Sequence, residues 1–367
     1  MKVKLGDITK IKTGKLDANA ASDDGEYPFF TCSRDPLKIS SYSYDCECVL
    51  VAGNGDLNVK YYNGKFDAYQ RTYIIEAKLP DVLYMPYLYF FMEKYVVELR
   101  KLAIGGVIKY IKLGNLTDAL IELPSYEQQR TLVERLRKVK CSIDKRNEQL
   151  AKLDELVKCR FVEMFGDMIY NPNKWEEKAL QSVADIVSGI TKGRKISDTK
   201  LIEVPYMSVC NVKDGYIDWT NLKTILATNK EIEQYRILAN DVLMTEGGDP
   251  DKVGRGAIIS SPPNNCIHQN HIFRVRLSEE VEAIYFEQYL QQPKARQYFY
   301  RSAKQTTGIA SINMSQLKAM PVLLPPLALQ EQFADFVHRI DKLRFVIQQS
   351  LDETQKLFDS LMQEYFD

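Results

Sequence analysis

Cys266, His268 and His271 stand within six residues of one another, and thiolate with imidazole is the donor set that zinc favours. The set stops at three. No further ligand pair stands nearby, and Gln269 and Asn270 between the histidines suit a surface loop that makes hydrogen bonds, so no metal is expected. Pro250-Asp251-Lys252 resembles a fragment of a nuclease signature, but the separated acidic partner and the E-x-K strand are missing. Asn171-Pro172-Asn173-Lys174 is not the Asn-Pro-Pro-aromatic turn with which amino-methyltransferases hold a flipped base, and it reads as a linker turn. A Walker A loop, a G-x-S-x-G elbow, paired carboxylates and a Ser/His/Asp order are all absent. Catalysis is therefore not expected of the chain itself.

The elements that carry these residues come from a chain of 367 residues, long enough for two to three domains with their own cores. Hydrophobic residues make up 45% and charged residues 27%, in the range of globular proteins, and no apolar run approaches the roughly 18 residues of a membrane span. Met1-Lys2-Val3-Lys4-Leu5-Gly6-Asp7 has no apolar signal region, so a cytoplasmic location is expected. Seven scattered cysteines without a C-x-x-C pair argue against a disulfide frame. The 49 basic and 49 acidic residues cancel, which excludes a nucleic-acid binder that works by bulk charge and leaves any affinity to local distribution.

The sequence repeats itself with variation. Leu5–Gly14 matches Leu180–Gly189 in its apolar positions and final glycine, Val49-Leu50-Val51-Ala52 matches Val242-Leu243-Met244-Thr245, and Tyr69-Gln70 matches His268-Gln269. Leu123-Pro124 running to Met164-Phe165 matches Leu324-Pro325 running to Tyr365-Phe366. The growing offset places insertions in the first part of the second half. Each half reads as an α+β module followed by one long helix, with boundaries at 1–124, 125–166, 167–326 and 327–367. Within the modules, strand-like runs Cys48–Val51, Thr72–Ile75 and His271–Val275 alternate with helical stretches Tyr84–Lys101 and Val281–Tyr300.

After Pro124, Ser125-Tyr126-Glu127-Gln128 forms a capping box that starts a helix. Leu132, Leu136, Val139, Ile143, Arg146, Leu150, Leu153, Val157, Arg160 and Met164 then follow in 4-3 alternation, the seam of a coiled coil. Val337, Ile340, Arg344, Ile347, Leu351, Thr354, Phe358, Leu361 and Tyr365 repeat it less perfectly. Residues 125–166 carry ten basic and seven acidic groups and residues 327–367 four and eight, so the two helices attract. An antiparallel pair is expected, each helix reaching roughly 60 Å at about 1.5 Å per residue. Arg146 and Arg344 would set its register or else extend out to water.

Ile121-Glu122-Leu123-Pro124-Ser125-Tyr126-Glu127-Gln128-Gln129, its copy Val322-Leu323-Leu324-Pro325 through Gln330-Glu331-Gln332, and the helix ending Arg160–Asp167 resemble the specificity subunit of type I restriction-modification systems over essentially the full length. The resemblance implies two target recognition domains, each reading one half of a split site in double-stranded DNA, with the paired helices setting the spacing. It implies two methyltransferase subunits, which together make an adenine methyltransferase using S-adenosylmethionine, and two restriction-translocase subunits. No cofactor and no membrane is implied for the chain itself.

Reading bases requires donors and acceptors at base edges, with Lys and Arg on phosphates. The candidates in the first module are Lys15, Arg34, Asn54, Lys60, Tyr69, Gln70, Arg71 and Lys109. In the second they are Lys192, Arg194, Asp249, Lys252, Arg255, His268, Gln269, Asn270, Lys304 and Gln305. The paired positions Gln70-Arg71 and Gln269-Asn270 stand out. Two other readings compete: a coiled-coil adaptor that bridges protein partners without reading DNA, and a self-contained nuclease, which the missing acidic cluster disfavours.

Overall fold

A computed structural model describes residues 2–195, 200–249, 253–306 and 308–367. The chain forms two compact units, Met1–Glu148 with Ile347–Asp367, and Gln149–Val346. Each holds one module and a stretch of both long helices, so the units group the chain differently from the four sequence segments.

In the first unit six strands lie in the order Thr9–Thr13, Thr72–Ala77, Tyr44–Ala52, Val59–Ala68, Tyr27–Phe30 and Leu37–Ile39. All pair antiparallel except Tyr27–Phe30, which runs parallel to the end of Val59–Ala68. Side chains alternate along a strand, and here both faces are covered. Val49, Val51 and Ile75 point into a core with Leu88, Met92 and Leu99 of the Met85–Leu102 helix, while Cys48, Leu50 and Ile74 join Phe30, Tyr44 and Phe66 on the other side. That helix has Pro86 in its first turn and Arg100 and Lys101 in its last, both suited to the ends they occupy. Lys2–Lys4 pairs with Leu120–Glu122 at the base of the module.

The second unit repeats the plan in pieces. Ala184–Ser188, Ile272–Leu277, Val242–Thr245 and Gly256–Ile258 form one sheet; Lys223–Ala227, Ile202–Met207 and Ile267–His268 form another. The long Val59–Ala68 strand thus has two short counterparts, with added chain between them. Glu176–Ala179 pairs with Pro321–Leu324 as the base strands do in the first unit. The single helix expected over Val281–Tyr300 is two, Ala283–Leu290 and Pro293–Ser302, because Pro293 cannot continue the hydrogen-bond ladder of a preceding helix.

Both long helices form as read, Tyr126–Phe165 and Leu327–Phe366. The Ser125 box is closed in both directions, Gln128 N–H to Ser125 Oγ at 3.3 Å and Ser125 N–H to Gln128 Oε1 at 2.9 Å. In the first unit Leu136 and Met362 share one buried cluster and Arg146 Nε donates to Ser350 Oγ at 3.0 Å, so the two helices run antiparallel. In the second unit Arg344 Nη2 donates to Asp154 Oδ1 at 2.6 Å and the Phe161 and Phe333 rings meet at 5.4 Å, again antiparallel. Each seam arginine therefore reaches the opposite helix. Leu136, Val157, Val337 and Ile340 are buried; Leu132, Val139, Ile143, Leu150, Leu153, Ile347, Leu351, Phe358 and Leu361 are half-buried. Phe161, Phe165 and Phe333, beside the seam, are fully buried against Tyr285. Where a helix meets a globular core its apolar stripe is wider than two positions per heptad, which a 4-3 count misses. Among the described residues no helix is long and apolar enough to cross a membrane.

One side chain per unit ties the long helix to its module. Gln129 is fully buried; its Nε2 donates to Val82 O (2.8 Å) and Pro124 O (2.9 Å), and its Oε1 accepts from Tyr84 N–H (2.9 Å), at the start of the Met85–Leu102 helix. Gln330 repeats this with Glu280 O, Pro325 O and the N–H of Glu282, which begins the Ala283–Leu290 helix. Each amide satisfies backbone groups that a helix start would otherwise leave unpaired.

Candidate nucleic-acid interface

In the first unit a set of backbone hydrogen bonds gathers four loops into one edge. The Gly14 N–H donates to Thr72 O at 3.0 Å, and a Cβ on Gly14 would lie 2.1 Å from Ala68 O, so only glycine passes there. The chain then presents Lys15, and Leu16 bridges Tyr69 while accepting from Gln70 N–H at 2.8 Å. Gly53 N–H donates to Arg71 O (2.8 Å), and Ile111 N–H and Gly55 N–H close onto Gly53 O and Lys109 O (both 2.9 Å). Lys15, Gln70, Arg71 and Lys109 are exposed along this edge, with Asn54 and Tyr69 half-buried beside them. Among the described residues the Arg71 guanidinium has no hydrogen-bond or ion-pair partner. Arg34 is exposed and pairs loosely with Asp56 at 3.5 Å. Lys60 is set back: its ammonium bonds Asn58 Oδ1, and burial pushes its pKa down.

The second unit builds the same edge from different side chains. A Cβ on Gly189 would lie 2.0 Å from His268 O; Asn270 N–H donates to Ile190 O at 3.0 Å, and Glu246 N–H to His271 O at 3.0 Å. Ile312 N–H closes onto Glu246 O at 2.8 Å as Ile111 closes onto Gly53. The parallel pairings Phe30 with Ala68 and Met207 with His268 fix the correspondence. Tyr69 thus matches Gln269 and Gln70-Arg71 matches Asn270-His271, one residue later than the sequence alignment placed them.

His268 therefore corrects the sequence reading. It takes the place of buried Ala68, is itself 0% exposed, and cannot reach a base edge. Burial and the nearby Arg274 charge push its pKa down to about 4, Nδ1 lies 3.1 Å from Ile272 O, and Nε2 is buried without a hydrogen-bond partner. Cys266 is also buried, whereas exposed His271 bonds Glu246 Oε2 at 2.6 Å, so these three do not converge; no metal-type cluster occurs among the described residues.

Arg194 is also withdrawn from the edge. Its guanidinium forks onto Glu231 (Nη2 to Oε2, 2.7 Å) and bonds Leu226 O, and that arginine is the main reason the Glu231 pKa falls to about 2. Lys192, Asp249 and Lys304 are exposed; Arg255, Gln269 and Asn270 are half-buried, with Gln269 Oε1 accepting from Val209 N–H at 3.4 Å. Lys252 and the Gln305 side chain lie outside the described residues. His271, which the sequence reading considered only as a metal ligand, belongs to the edge as the counterpart of Arg71.

A family model described as the type I restriction modification DNA specificity domain matches residues 1–155 and 172–354. The EcoDI type I restriction enzyme specificity subunit of Escherichia coli is 39% identical over 156 residues, 42% of this chain and 34% of that one. The EcoKI specificity subunit of Escherichia coli K12 is 22% identical over 258 residues, 67% of this chain and 55% of that one. These matches span from a third to little more than half of the relatives' own length. The fold is shared with the S subunit of a type I restriction-modification system from M. genitalium, with a TM-score of 0.62 at 16% identity over 100% of this chain and 96% of that one. A chain from a structure concerned with complex assembly and conformational transition of the type I R-M system gives 0.58 at 16% identity, covering 100% and 97%.

Proposed function

The chain belongs to the family of type I restriction modification DNA specificity domains, and on that premise we propose that its two modules each read one half of a bipartite site in double-stranded DNA. The observation that carries this reading is the pair of edges built on one backbone plan but furnished differently, Gln70-Arg71 in one and Asn270-His271 in the other. A common frame with exchangeable side chains suits two readers of different sequences, because frame and specificity then reside in different atoms. Arg71 offers the fork that pairs with guanine O6 and N7, and Asn270 the amide that pairs with adenine N6 and N7.

The chain supplies recognition and scaffolding and no catalysis. Two methyltransferase subunits dock on the helices and modules to methylate adenine, two restriction-translocase subunits complete the enzyme, and the assembly works in the cytoplasm. The paired helices set the gap between half-sites.

Selection of the chain with its methyltransferase subunits against randomised duplexes tests this. The wild type should select a split motif. Arg71→Ala should relax one half and Asn270→Ala the other, each by about 1–3 kcal/mol of base discrimination. Unchanged selection in both variants, or no selection by the wild type in a stable complex, would favour a protein adaptor instead.

A further inference from the structure

Beside the reading edge of the first unit, the Ile104–Tyr110 hairpin holds two β-branched side chains out in water. Val107 is 104% exposed and Ile108 62%. Neither belongs to a hydrophobic cluster of that unit, so they do nothing for the fold. A single exposed apolar residue is ordinary, but an adjacent pair on a narrow tip is a feature to explain.

The hairpin is built to present them. Ile104 N–H and Tyr110 N–H bond each other's carbonyls at 3.0 and 2.9 Å. Gly105 has φ +120°, and a Cβ there would lie 2.6 Å from Ile108 O, so the tight return depends on glycine. At Gly106 a Cβ would meet nothing within 4 Å, which leaves the tip slender. Its base shares atoms with the reading edge: Lys109 O accepts from Gly55, and Gly53, which accepts from Ile111, donates to Arg71 O. Between Glu98 and Asp118 the chain carries Arg100, Lys101, Lys109 and Lys112 and no acidic residue; Arg100 pairs with Asp56 and Lys101 with Glu98, which leaves Lys109 and Lys112 as charge suited to phosphates. At the matching place in the second unit, counted back from Ile312, the sequence is Lys304-Gln305-Thr306-Thr307-Gly308-Ile309-Ala310-Ser311, with glycine where the first unit has Val107 and Ile309 where it has Ile108, so the adjacent apolar pair is not repeated.

Resting on the DNA-reading role above, we propose that Val107 and Ile108 form an apolar probe that enters a groove of the first half-site and packs on its base pairs. Duplex DNA offers apolar surface there in two forms, thymine 5-methyl groups in the major groove and the faces of a partly opened base step.

The test uses the full chain assembled with its methyltransferase subunits, as wild type, Val107→Ser/Ile108→Ser and Val107→Leu/Ile108→Leu. The serine variant should bind the selected duplex about tenfold more weakly and relax preference in one half-site only, while the leucine variant stays near wild type. Thermal unfolding should be alike in all three, since the two side chains pack on nothing. In the wild type, either replacing thymine by deoxyuridine in that half should weaken binding, or 2-aminopurine at one of its steps should brighten; the serine variant should respond to neither. Equal affinity and unchanged preference in the serine variant would overturn the probe, as would loss of methyltransferase assembly, which marks a protein contact. A wild-type complex that selects no split site would instead sink the reading on which the probe rests.

Discussion

A buried amide that satisfies three backbone groups leaves them exposed to an unpaired interior when it is removed. Gln129→Ala and Gln330→Ala should each cost about 1–3 kcal/mol, visible as a lower Tm, whereas Gln128→Ala, at an exposed capping position, should cost less. The phrase in which these glutamines stand was legible in the sequence, and the 4-3 row continued one step back from Leu132 reaches Gln129, not Gln128; which backbone groups the amide meets depends on where the module packs. The buried Glu287 supplies a second test. Burial holds its pKa up at about 7, although its Oε1 accepts from Ile258 N–H at 2.7 Å. A carboxyl whose folded pKa lies above its ordinary 4.5 contributes stability below pH 4.5 that is lost as the pH rises through 7. Glu287→Gln should therefore raise the Tm at pH 8 relative to wild type and leave it nearly unchanged at pH 4, as a pH series of thermal melts would record. His268 shows the opposite limit of residue-level reading: its place beside Gln269 suggested a DNA contact, while the pairing of its strand with Met207 buries it.

The strands and helices were legible where periodicity is strong. The continuous apolar run Cys48–Val51 is a strand buried on both faces, and the 4-3 rows of the two helices appear in the structure because each stripe finds a buried surface. The register of the second edge was not legible, since Gln follows an aromatic or imidazole ring in both copies and only the parallel bridges to Phe30 and Met207 decide the alignment. The glycines that end the first strands, Gly14 and Gly189, matched in sequence for a reason that only geometry supplies: each faces a carbonyl oxygen. Gly14→Ala and Gly189→Ala should each destabilise by about 1–3 kcal/mol, with loss of half-site preference in the corresponding module alone. Along the helix, Leu136→Ala should cost about 2–5 kcal/mol and half-buried Ile143→Ala clearly less, a gradient that chemical denaturation measures.

For the molecule as a whole, zero net charge limits the counterions that the chain alone can release from DNA. The isolated chain should bind duplex weakly, and its complex with methyltransferase subunits should bind far more tightly and with a steep salt dependence; equal affinity with and without them would contradict this. The internal repeat made the two-module organisation readable from the sequence, whereas the division of both helices between the compact units depends on packing that no repeat encodes. The central claim is that this chain dictates a split sequence. The most direct measurement is the map of methylated adenines in cells that carry the methyltransferase subunits with this chain, against cells lacking only this chain. The account predicts a two-part motif with a fixed gap that disappears with the chain. A stable complex whose methylation pattern is the same in both would contradict it.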